Sequence, residues 1–164
     1  MKDTIKDKKI VIIDIETSGL YCGENGKEPA RILRVDATKV ENGKVGESFS
    51  SLVACGEYIK KSIAVLTGIN NKMLKGKPKI KDVLKALKEF TCGCEVYARN
   101  SEFINKFLTY YGEKNGIHID LAKEKDYNGI SKFINQRELS THLKNTTDIE
   151  PLALAKLCIS QANL

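Results

Sequence analysis

The sequence has no tryptophan, three prolines, two methionines and few aromatic residues. So little proline, with twelve glycines among 164 residues, excludes collagen-like and linker-rich architectures. No apolar run approaches the roughly 20 residues of a bilayer-spanning helix, so no membrane partner is expected. The opening stretch MKDTIKDKK lacks the apolar segment of a secretory leader, which gives a cytoplasmic expectation. The cysteines, Cys22, Cys55, Cys92, Cys94 and Cys158, are odd in number and form no CxxC pair. His118 and His142 flank no cysteine cluster, so neither a disulfide framework nor a structural zinc site is expected.

What is present suits a single domain over residues 1–164. Hydrophobic residues make up 41% and charged residues 29%, enough for a real core and too apolar for a disordered chain. The formal charge of +6 hints weakly at a polyanionic partner. The lysines read as spread along the chain, most of them solvating the surface.

Residues 9–15 (KIVIIDI) form a nearly continuous β-branched run, the pattern of a strand buried on both faces. Three glycines, Asn25 and Pro29 mark residues 17–29 as a loop. Strands follow over 30–40 and 45–53, joined at Asn42-Gly43, a strong hairpin signal. The spacing of Ile80, Val83, Leu84, Leu87 and Phe90 predicts a helix over 79–90. A short strand at 95–98 and a helix over 101–111 come next, with Asn100 or Ser101 as its cap and Gly112 and Gly116 bracketing its end. A weaker helix over 130–139 and a last one from Thr147 or Asp148 complete an α/β domain with a mixed sheet.

Asp14 ends the apolar strand and Glu16 lies two residues on. Strand periodicity puts both side chains on one face. Two carboxylates so placed repel unless a cation lies between them. Hard oxygen donors suit Mg²⁺ or Mn²⁺. The residues alone leave a second reading open, in which Asp14 closes the strand and Glu16 is solvated.

The string IVIIDIETSGL resembles the first motif of the DEDD 3′–5′ exonucleases, the DnaQ-like family that includes the bacterial polymerase III proofreading subunit and RNase T. The resemblance continues through VENGK (40–44), FSSLV (49–53), LTGI (66–69) and VYARNSEFINKFL (96–108), and ends in DxxxLA from Asp148. It implies a ribonuclease H-like fold with a mixed five-stranded sheet flanked by helices. It implies metal-dependent 3′–5′ exonuclease activity on single-stranded DNA or RNA ends, with a polymerase or another protein as a candidate partner. The implied metal ligands are Asp14, Glu16 and Asp148, holding Mg²⁺ or Mn²⁺ in a two-ion site. His142 is implied as the general base. Thr17, Leu20, Asn100 and Phe103 are implied as substrate contacts.

Two departures from the family pattern stand out. The second motif, HNxxFD in the family, is here Arg99-Asn100-Ser101-Glu102-Phe103-Ile104. Ile104 occupies the place of the fourth acidic residue and extends the apolar stripe of its own helix, so the second ion is expected to be held weakly or not at all. His142 lies one residue before the family position, where this chain has Leu143. Asp148 also fits a helix cap, within the capping-box pattern Thr147 to Glu150. The alternative function is a catalytically inactive exonuclease-fold protein that binds nucleic-acid ends or a partner protein.

Overall fold

The computed structural model describes residues 8–98 and 100–121. Four strands form one sheet: β1 (Lys9–Thr17), β2 (Ile32–Glu41), β3 (Lys44–Leu52) and β4 (Glu95–Ala98), in the order β3-β2-β1-β4. β1 is the inner strand expected from its continuous apolar run. It pairs antiparallel with β2 and parallel with β4. Of the five strands expected, these four lie within the described residues. Asn42 and Gly43 both adopt positive φ, 51° and 67°, the conformations a type I′ turn requires to join β2 to β3.

Helices α1 (Lys61–Thr67), α2 (Asn71–Leu74) and α3 (Ile80–Thr91) lie between β3 and β4, and α4 (Ser101–Asn115) follows β4. Val83, Leu84 and Leu87 of α3 and Ile104, Phe107, Leu108 and Tyr111 of α4 cover the β1 face that carries Val11, Ile13 and Ile15. Each such side chain fully removed from water stabilises the fold by about 1.5–3 kcal/mol. α4 runs four residues past the expected end because Gly112 does not break it. A side chain on Gly112 would collide with the carbonyl oxygen of Ile117, whose N–H donates to the Gly112 carbonyl at 2.9 Å. The helix stops at the second bracketing glycine, Gly116, with φ 66°.

A bulge shapes the far end of the sheet. Glu16 pairs with Arg34 but Thr17 pairs with Ile32, so Leu33 is the additional residue on β2. Leu33 forms a second small core with Ile59, Ile69 and Leu74. Asn71 braces this core from α2: its Oδ1 accepts the Ile59 N–H at 2.9 Å and its Nδ2 donates to the Ile59 carbonyl at 3.3 Å. α1 itself buries no residue, and for that reason no apolar stripe announces it in the sequence.

Among the described residues no helix is long and apolar enough to cross a membrane. The four described cysteines, Cys22, Cys55, Cys92 and Cys94, are free thiols.

Candidate active site

Asp14 and Glu16 stand half-buried near the carboxyl end of β1. In the β1/β2 ladder Asp14 lies opposite Asp36, and Glu16 opposite Arg34. Residues directly opposite in an antiparallel pair share a face, with Cβ atoms about 4.5–5.5 Å apart. One face at this end of the sheet therefore carries three carboxylates and one guanidinium.

Asp36 is not available as a third ligand. It is 2% exposed. Its Oδ1 accepts the Ser50 hydroxyl at 2.6 Å, and its Oδ2 lies 2.7 Å from Arg34 Nε, a close ion pair rather than an aligned hydrogen bond. Arg34 Nη2 lies 3.7 Å from Glu16 Oε1, so the same guanidinium touches a buried carboxylate and a half-exposed one. Reasoning from the sequence missed Arg34 and Asp36. Their two-residue spacing puts them on one face of β2, but only the cross-strand register brings that face to Asp14 and Glu16.

The chain leaves β1 through a fixed turn. The Thr17 hydroxyl donates to the Gly19 carbonyl at 2.7 Å. Ser18 bridges to Arg31 twice: its N–H donates to the Arg31 carbonyl, and its hydroxyl oxygen accepts the Arg31 N–H, each at 2.8 Å. Arg31 is ion-paired with Glu57, which raises the guanidinium pKa and keeps it charged. On this turn Leu20 projects into solvent, 77% exposed, and Lys27 sits 4.0 Å from the centre of the neighbouring Tyr21 ring.

The second motif divides between surface and core. Asn100 is the exposed cap residue of α4, and its side chain bonds no helix N–H. Phe103 is partly buried, its ring 4.8 Å from that of Phe107. Ile104 is 1% exposed within the main core, as its place on the apolar stripe implied. Arg99, His142 and Asp148 lie outside the described residues, as do the helices expected over 130–139 and from 147.

The donors fit a hard divalent cation. Asp14 and Glu16 offer carboxylate oxygens from one face, while Asp36 is engaged elsewhere. Among the described residues no three His, Cys, Asp or Glu side chains gather to hold a metal. The described site thus supplies two carboxylates of the expected three.

The exonuclease family model RNase T matches residues 11–152, which contain the β1 carboxylates and every expected ligand. The chain belongs to the RNase T exonuclease family. The chain is 36% identical over 118 residues to the DNA polymerase III subunit epsilon of Aquifex aeolicus, covering 70% of this chain and 56% of that protein. It is 32% identical over 111 residues to the PolC-type DNA polymerase III of Halalkalibacterium halodurans, covering 68% of this chain and 7% of the other. The chain thus spans about half the length of the first relative and a small part of the second. Among solved structures, the nuclease domain of 3′hExo, a DEDDh family member, superimposes with a TM-score of 0.64 at 18% identity, covering 95% of this chain and 90% of that one. Exonuclease I of E. coli, solved with a dT13 oligonucleotide, gives 0.57 at 13% identity over 68% of this chain and 25% of the other. The fold is ribonuclease H-like.

Proposed function

We propose that the domain removes nucleotides from the 3′ ends of single-stranded nucleic acid by phosphodiester hydrolysis. The observation that carries this reading is the pair Asp14 and Glu16, on one face at the end of the inner strand of an exonuclease-family sheet. With Asp148 they form the proposed ligand set for Mg²⁺ or Mn²⁺, in a two-ion site whose second ion is weakly held because Ile104 brings no carboxylate. Divalent ions in such a site acidify the attacking water and stabilise the leaving oxygen.

The chain's own groups do the rest. His142 accepts the water proton. Leu20, exposed on its braced turn, packs against the terminal base, and Thr17 holds that nucleotide through its backbone. Asn100 and Phe103 contact the strand from the start of α4. The polymerase subunit among the relatives supports a polymerase as partner.

The test is a 5′-labelled 20-mer, as DNA and as RNA, incubated with Mn²⁺. A ladder shortening from the 3′ end, lost in Glu16→Gln, is the expected result. An oligonucleotide that binds but is never shortened would overturn hydrolysis and leave an inactive end-binding protein.

A further inference from the structure

The lysines are not spread evenly along the chain, contrary to expectation. Residues 58–81 contain seven lysines and no Asp or Glu. Lys60, Lys61, Lys72, Lys75, Lys77 and Lys79 are all exposed, and none of them is ion-paired among the described residues. The same stretch holds the most exposed apolar side chains of the described molecule: Tyr58 at 80%, Val65 at 78% and Leu66 at 81%.

This stretch is an excursion with a fixed base. The Ala54 N–H donates to the Pro78 carbonyl at 2.7 Å, which closes its two ends. Ile59, Ile69 and Leu74 anchor it on Leu33, at the bulge beside Glu16 and Thr17. It therefore stands at the same end of the sheet as the candidate site. Nothing in its packing calls for exposed apolar groups among unpaired lysines. A polyanion with apolar flat faces matches both features, because phosphates pair with lysines while bases cover apolar and aromatic side chains.

We propose that residues 58–79 form a nucleic-acid tract that grips the single strand 5′ of the nucleotides held at the candidate site. The proposal rests on the exonuclease reading for the direction of the strand, and on charge and exposure for the contact itself. Lys72, Lys75, Lys77 and Lys79 contact phosphates, and Tyr58 and Leu66 pack against bases.

The test compares wild type with a variant carrying Lys72→Gln, Lys75→Gln, Lys77→Gln and Lys79→Gln. Binding of labelled dT20 is measured in EDTA at several salt concentrations. Hydrolysis of dT4 and dT20 is measured in Mn²⁺. The variant is expected to bind dT20 roughly tenfold more weakly, with a log–log salt slope shallower by about 3, since each lost phosphate contact removes about 0.7. KM for dT20 should rise, while kcat and the kinetics on dT4 stay as in wild type. Tyr58→Ser should weaken dT20 binding about fivefold or more. Wild-type affinity and slope in the folded variant would overturn the tract. So would unchanged dT20 binding with loss of binding to vesicles containing phosphatidylserine, which would assign the lysines to a lipid surface. A wild-type protein that hydrolyses neither oligonucleotide counts against the exonuclease reading alone, because the EDTA binding data still decide the tract.

Discussion

Arg34 joins two carboxylates of unequal exposure. Asp36 is nearly enclosed, and a carboxylate in that setting needs a counter-charge as well as its Ser50 hydrogen bond. Arg34→Gln is therefore expected to cost about 3 kcal/mol in urea unfolding, because it leaves a buried charge unmatched. Adding Asp36→Asn should recover much of that loss, a coupling that a double-mutant cycle reads directly. The same Arg34→Gln change removes a positive charge 3.7 Å from Glu16, so calorimetry should show tighter Mn²⁺ binding. Ile104 raises the opposite problem. A carboxylate there would stand in the core rather than in water, so Ile104→Asp should destabilise the fold by about 3 kcal/mol or more. Ile104→Val should cost about 1 kcal/mol. Equal melting temperatures for these two variants would show that the position is not enclosed.

At the scale of elements, the turn that carries Leu20 is fastened to α4. The Tyr111 hydroxyl donates to the Ala30 carbonyl at 2.8 Å, and Lys106 Nζ lies 3.1 Å from Glu24 Oε1 and 3.4 Å from Glu102 Oε1. Glu24 and then Glu102 raise the Lys106 pKa above its ordinary value. Tyr111→Phe should cost about 1 kcal/mol for the lost hydrogen bond. Burial raises the Tyr111 pKa above its unfolded value. Its contribution is therefore complete below the unfolded value near 10 and is lost as pH rises through the folded value. Thermal melts of wild type and Tyr111→Phe should accordingly converge above about pH 10. α4 offers a second test. Alanine is the better helix former, yet Gly112→Ala should destabilise by about 1–3 kcal/mol, because its Cβ meets the Ile117 carbonyl.

For the whole molecule, the formal charge of +6 is unevenly placed, with seven lysines and no acid over 58–81. Like charges so gathered repel one another, and salt screens them within about 10 Å at 0.1 M. Raising NaCl from 0.05 to 0.5 M should therefore raise the melting temperature of the free protein, and lysine-to-glutamine changes at 72, 75, 77 and 79 should flatten that rise. Salt would act oppositely on binding to an oligonucleotide, which separates folding from recognition in the same samples.

What the sequence by itself determined was local and periodic. The unbroken run in β1, the Asn42-Gly43 turn and the apolar stripes of α3 and α4 specify their elements through contacts a few residues apart. Strand period alone puts Asp14 and Glu16 on one face, and the exonuclease motifs then say what such a pair is for. The tertiary structure decided what depends on register and enclosure. Arg34 and Asp36 belong to the site only because β2 pairs with β1 in one alignment, and a shift of one residue would turn both away. α1 and α2 carry no buried stripe of their own to announce them, and their place is fixed by Ile59, Ile69 and Leu74 closing on Leu33. Gly112 looks like a helix stop in the sequence and is a close-approach position in the fold, because the atom that requires glycine belongs to the returning chain at Ile117.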